Sequence, residues 1–221
     1  MPTPLDSTEL RKLFGEAKRN GFAIGSVRDG NAFRSLIGLV GLSLISNRQG
    51  AGEAATLRVL DTFEARPGSM SQTVGLGSQP LHTDGAHLHH PPDYVVLIAE
   101  SANDTPTRYW QPTAPYQARE DLSHGIFKVN TGKSAFLSSA ISPRHLRFDP
   151  VCMHPLDARA REVVQVLTPN DESTVSAHSW ADTDLNLLIL NNRTTLHGRA
   201  EVTPGDDLRE LVRFNVEETH S

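Results

Sequence analysis

The sequence predicts a mainly β fold with flanking helices, a barrel or jelly roll of short strands. Two observations carry this. From Leu81 onward, short apolar runs rich in β-branched and aromatic residues alternate with turn residues, as in "YVVLIAE", "HGIFKVN", "HLRFDPVCM", "LNLLILNN" and "LRELVRFNVE". Such runs are strand signals. Helical periodicity, by contrast, is confined to the N-terminal part, about residues 6–46, and to one segment after Asp157. Many short strands with few helices favour a barrel or jelly roll.

The elements follow in chain order. Asp6 caps a first helix, with Glu9 as the reciprocal partner. Leu10, Leu13, Phe14 and Ala17 then recur at helical spacing, and Asn20-Gly21 ends the helix. "FAIGSV" reads as a strand. Asn31 caps a second helix that places Phe33, Leu36, Ile37, Val40 and Leu44 on one face. "TLRVLDTFEA" reads as a strand, and Pro67 to Gln79 as a mobile loop. In the second half, Asp157 caps a helix lined by Ala160, Val163, Val164 and Leu167. The Val-Arg-Phe-Asn-Val alternation makes the last run a strand.

The 221 residues suffice for one domain over 1–221, with a β core at about 55–217, and no Gly/Ser linker divides them. A net charge of -5 without a basic cluster gives no footprint for nucleic acid. No apolar run approaches the roughly 20 residues of a membrane helix. The N-terminus lacks the order of a signal peptide, and Cys152 is the single cysteine, so a cytoplasmic location is expected. Beside a methionine and an apolar run, its thiol reads as buried and inert.

The chemistry centres on "QPLHTDGAHLHHPPDY". On a strand, His82 and Asp84 share a face and can bind one ion together. A second histidine would complete the two-histidine, one-carboxylate set that suits Fe(II). His197, in "LLILNNRTTLHGRAE", follows a buried strand and is well placed to supply it. The plain reading of His87, His89 and His90 is a cleft-lining or solvent-facing loop. The sharper one is a role in substrate binding or proton delivery. His154 and His178 read as structural or surface residues, and Trp110 and Trp180 as core or cleft wall.

"LHTDGAHLHHPPDYVVLIAE" followed by "LLILNNRTTLHGRAEVTPGDDLRELVRF" resembles the Fe(II)/2-oxoglutarate-dependent oxygenases of the taurine dioxygenase and clavaminate synthase-like (TauD/TfdA) group. The likeness covers roughly residues 80–216 and rests on order and spacing. A His-Thr-Asp precedes two prolines and an apolar strand. An Asn-Arg pair precedes a histidine, and Arg209 and Arg213 follow that histidine by twelve and sixteen residues. The resemblance implies a double-stranded β-helix (jelly-roll) fold of the clavaminate synthase type. His82, Asp84 and His197 would bind iron. Arg209 would pair with the C5 carboxylate of 2-oxoglutarate, which a guanidinium fork matches with two parallel hydrogen bonds. A threonine hydroxyl would help, Thr107 in first place and Thr105 as runner-up. The sequence departs from the group's usual glycine pair there. Arg213 would bind an anionic group on the substrate, or else form an ion pair with Glu201 or Glu217.

The implied activity couples O₂-dependent decarboxylation of 2-oxoglutarate to succinate with C–H oxidation, as a hydroxylase. The expected substrate is a small polar molecule, an amino acid or derivative. Asp84 leaves no position for a halide ligand, so halogenation is not expected. Pro67–Gln79 and Tyr109–Ser123 are the expected lids. Neither nucleic acid nor membrane is an expected partner, and a homo-oligomer stays open. The competing reading is a non-catalytic or cupin-like metal-binding jelly roll that uses no 2-oxoglutarate. Arg209 and a complete triad discriminate against it.

Overall fold

A computed structural model describes residues 5–46, 52–112, 120–142 and 146–219. The elements run α1 (Ser7–Asn20), β1 (Phe22–Gly25), α2 (Gly30–Ile37), β2 (Leu42–Ile45), β3 (Ala54–Arg58), α3 (Met70–Val74), β4 (Tyr94–Ile98) and β5 (Asn103–Trp110). They continue with β6 (Phe127–Asn130), β7 (Ala135–Ser138), β8 (Met153–Pro155), α4 (Ala158–Val166), β9 (Ser176–Trp180), β10 (Leu187–Asn191), β11 (Leu196–Arg199) and β12 (Glu210–Glu218). The chain is mainly β, with antiparallel sheets and flanking helices. The main sheet runs β1–β10–β4–β12, and β2 and β3 both pair with β12. A second sheet is β11–β5–β9 and a third is β7–β6–β8.

Strands β4 and β10 are buried along their whole length because both faces of the main sheet are covered. Tyr94, Val96, Ile98, Leu187 and Ile189 point to one face, where Leu10, Leu13 and Phe14 of α1 and Phe33 of α2 cover them. Val95, Leu97, Leu188 and Leu190 point to the other, against Tyr109 and Trp180 of the second sheet. Each large apolar side chain buried there contributes about 1.5–3 kcal/mol relative to exposure. A third cluster joins Leu81 and Leu196 to the third sheet and α4. No described helix is long and apolar enough to cross a membrane.

The first helix, the last helix and the strands at "FAIGSV", "YVVLIAE", "HGIFKVN", "LNLLILNN" and "LRELVRFNVE" form where the sequence predicts them. Other expectations are corrected. The cap of α2 is Asp29, not Asn31: Asp29 Oδ1 accepts from Ala32 N at 2.8 Å. Leu44 is not on that helix. Gly41 turns the chain with φ 77, and Leu44 enters β2. The segment Pro67–Gln79 contains α3, capped by Ser69. In "HLRFDPVCM" only the end joins a ladder, as β8, while Leu146 makes an isolated bridge to Ile141. The strand in "TLRVLDTFEA" begins earlier, at Ala54, and stops at Arg58. Of the expected lid Tyr109–Ser123, Tyr109 and Trp110 belong to β5, and residues 113–119 lie outside the described residues.

Candidate metal centre

Backbone pairing brings His82 and His197 together. His82 N donates to His197 O at 3.0 Å, and His197 N donates to His82 O at 2.8 Å. Paired residues of an antiparallel ladder project their side chains to one face, about 5 Å apart. The two rings lie 5.0 Å apart between centroids. His82 and Asp84 share a side as predicted, because fully buried Thr83 points the other way and bonds to the backbone of Phe148. The segment is not a continuous strand, however. Asp84 opens a turn, and Gly85 sits at φ 69, where a Cβ would meet Pro92 Cδ at 2.7 Å.

The three side chains converge. His82 Nε2 lies 3.6 Å and His197 Nε2 3.9 Å from Asp84 Oδ1. Among the described residues this is the one group of three or more such side chains with ligand atoms that close, all within 4.8 Å. His82 Nδ1 is 3.0 Å from Pro80 O. A carbonyl only accepts, so Nδ1 carries the hydrogen and a neutral ring keeps its Nε2 lone pair for a metal. His197 Nδ1 is buried without a hydrogen-bond partner among the described residues. Two imidazole nitrogens and one carboxylate oxygen fit Fe(II), with positions left for other ligands.

Arg213 sits directly on this group. Its Nη1 donates to Asp84 Oδ2 at 2.8 Å, leaving Oδ1 to face the histidines. The ion pair considered from sequence is therefore made with Asp84, not with Glu201 or Glu217. Burial pushes the Asp84 carboxyl up, but Arg213 and the two imidazoles outweigh it and hold it well below the carboxylate range. Burial dominates at His197 and pulls its imidazolium down to about 3, against the pull of Asp84. Burial opposes charge on His82 too, yet Asp84 and Asp149 prevail and raise it. A metal ion at Nε2 of His82 therefore competes with a proton there.

Side chains that the sequence reading passed over hold this geometry. Asn192 Oδ1 accepts from Asp84 N at 2.8 Å, and its Nδ2 donates to Asp84 O at 3.0 Å and Pro92 O at 2.9 Å. Arg193 and Glu218 N bind the carboxylate of Asp93. The Asn-Arg pair was visible as a motif; its role was not. Arg147 donates to the carbonyls of Ala86, Leu88 and His89, fixing the turn after Asp84. Gly198 lets the strap before His82 lie on β11, since a Cβ there would meet Gln79 O and Pro80 O at 3.1 Å. Gly198→Val is expected to cost about 1–3 kcal/mol in urea denaturation and to weaken Fe(II) binding as the strap shifts. Unchanged values for both would show that the strap adjusts freely.

Arg209 lies in a second constellation. It is 6% exposed. Its Nε donates to Asn103 Oδ1 at 3.0 Å and Thr105 O at 3.2 Å, and its Nη2 is 3.5 Å from Thr107 Oγ1. Among the described residues no carboxylate forms an ion pair with it. Burial first, then the nearby guanidinium of Arg199, pulls Arg209 down to about 10, with Asp206 opposing. The two threonines differ. Thr105 Oγ1 is bonded to Asp206 Oδ2 at 2.6 Å and accepts from Thr203 N. Thr107 faces Arg209 instead.

The remaining histidines fall mostly on the plain side. His89 is exposed and packs its ring 4.5 Å from that of Phe136, and His90 and His154 are exposed. His87 is half-buried in the turn. His178 is buried with Nε2 3.0 Å from Leu185 O. Cys152 is half-buried, and burial and Asp149 push its thiol up, so it stays protonated and unreactive.

No protein-family model matches the chain. The L-asparagine oxygenase of Streptomyces coelicolor is 24% identical over 169 residues, 67% of this chain and 47% of that protein. The chain therefore spans about half the length of the curated relative it matches. Asparagine oxygenase in complex with Fe(II), 2S,3S-3-hydroxyasparagine and succinate superposes with a TM-score of 0.66 at 20% identity, over 94% of this chain and 79% of that one. The non-heme iron oxygenase OrfP in complex with Fe, succinate and (3S)-hydroxy-L-Arg gives 0.71 at 15% identity, over 96% and 81%. OrfP has also been solved with Fe and alpha-ketoglutaric acid. This chain shares the fold of these oxygenases, which are proteins of the kind its motifs resemble.

Proposed function

We propose that the protein is an Fe(II)- and 2-oxoglutarate-dependent dioxygenase that hydroxylates a small polar substrate, an amino acid or a derivative. One observation carries the reading: the convergence of His82 Nε2, Asp84 Oδ1 and His197 Nε2 on one point. His82, Asp84 and His197 hold the ion. Bound iron supplies the redox chemistry by which O₂ and 2-oxoglutarate are converted to succinate and CO₂ as a substrate C–H bond is oxidised. Arg209 and Thr107 hold the far carboxylate of the cosubstrate. Arg213 orients Asp84 through Nη1, and its buried Nε, which has no hydrogen-bond partner among the described residues, suits an anionic group of the substrate.

The hydroxylated amino acids in the related structures support the substrate class. The main and second sheets, facing each other across Val95, Leu97, Tyr109 and Trp180, are read as the two halves of a double-stranded β-helix. The mild acidic charge and free Cys152 favour a cytoplasmic enzyme of small molecules rather than a nucleic-acid binder.

The test is an anaerobic titration of purified protein with Fe(II) and then 2-oxoglutarate. The expected result is a weak visible charge-transfer band that is lost in His82→Ala. Aerobic incubation with a panel of amino acids should then yield succinate and a product one oxygen atom heavier. Iron binding without a band would remove 2-oxoglutarate from the reading and leave the cupin-like one.

A further inference from the structure

We propose that Trp180 is a positioning residue for the cosubstrate: its indole N–H turns the hydroxyl hydrogen of Thr107 toward the carboxylate held by Arg209. This rests on the reading of Thr107 and Arg209 as the 2-oxoglutarate carboxylate site. Trp180 Nε1 donates to Thr107 Oγ1 at 3.0 Å, and the indole nitrogen cannot accept. Arg209 Nη2, also a pure donor, faces the same oxygen at 3.5 Å, the outer limit of a hydrogen bond. A threonine hydroxyl has two acceptor lone pairs and one hydrogen. Two donors directed at Oγ1 engage the lone pairs and leave the hydrogen for an acceptor. Among the described residues none takes it. Thr105, on the same face of β5, has Asp206 Oδ2 at 2.6 Å to receive its hydrogen, so its hydroxyl is not available in this way.

The indole is held in place. Trp180 is 1% exposed and Thr107 3%. The β5–β9 ladder sets Thr107 opposite His178. The His178 ring stands edge-on to the indole at 4.4 Å and 87°, and is itself anchored by Leu185 O at 3.0 Å. Rotation of the indole away from Thr107 would break this packing. The hydroxyl is therefore preorganised as a donor before an anion arrives.

Trp180→Phe keeps a buried ring and removes the N–H. In anaerobic titrations of the Fe(II)-loaded protein, its Kd for 2-oxoglutarate, read from the charge-transfer band, should rise about five- to tenfold. The Kd for Fe(II) alone should stay within about twofold, because the one N–H of the indole bonds Thr107 and not a triad member. Thr107→Val should weaken 2-oxoglutarate similarly, and adding Trp180→Phe to it should weaken it no further. A merely structural role would shift Fe(II) affinity and make the two losses additive. Benzothienylalanine at position 180 keeps the bicyclic shape without the N–H and gives the same comparison if Trp180→Phe does not fold. A band in both proteins with equal 2-oxoglutarate affinity overturns the proposal alone. No band in the wild type overturns the cosubstrate reading and this proposal with it.

Discussion

Asp84→Ala is expected to lose Fe(II) binding by about three orders of magnitude or more. Asp84 is the one anion in the triad, and the guanidinium of Arg213 is ion-paired with it. Its Oδ2 holds the guanidinium of Arg213 at 2.8 Å. Once the carboxylate is gone, that guanidinium loses its ion-pair partner beside the two imidazoles. A unit charge pair about 4 Å apart is worth about 4 kcal/mol at an intermediate effective dielectric, close to three decades in affinity. The incoming dication loses that attraction and gains the repulsion of Arg213. The fold should lose about 1–3 kcal/mol as well, since a partly buried guanidinium keeps its desolvation without its partner. Asp84→Ala/Arg213→Met separates the two effects: stability returns toward wild type, while iron binding does not. Anaerobic calorimetry and urea denaturation read both quantities. Fe(II) affinity within about tenfold of wild type in Asp84→Ala would remove Asp84 from the metal centre.

The contrast between what the sequence disclosed and what it withheld follows from range. His82 and Asp84 were legible because a two-residue spacing fixes a face. His197 was legible because an apolar strand and a following turn mark a ligand-presenting end. The backbone bridge that joins His82 to His197 was not, because short β11 carries no alternation of its own. Asn31 looked like a cap because "DGN" offers two capping residues two positions apart, and only the backbone at Asp29 decides between them. Arg213 was singled out, but its partner was misjudged. Spacing along a strand points to nearby glutamates, while the carboxylate it meets is 129 residues away. The same limit applies to Asn192 and Trp180, whose side-chain bonds reach across 108 and 73 residues. Thr107 and Thr105 share a strand face, so the sequence ranked them only weakly. The Asp206 carboxylate separates them by engaging Thr105.

Arg209→Met is expected to weaken 2-oxoglutarate binding by about two to three orders of magnitude while leaving Fe(II) affinity unchanged. Truncating one member of a buried, hydrogen-bonded charge pair costs about 2–5 kcal/mol of binding. Arg209 is poised for such a pair. Nε is fixed by Asn103 and Thr105, Nη2 has only the distant Thr107 hydroxyl, and Nη1 has no partner among the described residues. A buried guanidinium without a carboxylate is costly, so its removal has two opposed effects on the unliganded fold. Methionine relieves the desolvation but strands Asn103 Oδ1 and Thr105 O. The two offset, and stability without 2-oxoglutarate should change by less than about 1 kcal/mol. The difference appears on adding the cosubstrate. Ligand that binds the native state raises Tm by mass action, so 2-oxoglutarate should raise the Tm of Fe(II)-loaded wild type and leave that of the variant near its starting value. Arg209→Lys keeps the charge without the planar fork, and about a tenfold loss is expected rather than two to three decades. An equal Tm rise in wild type and Arg209→Met would assign the buried guanidinium to the scaffold and require a different cation for the cosubstrate.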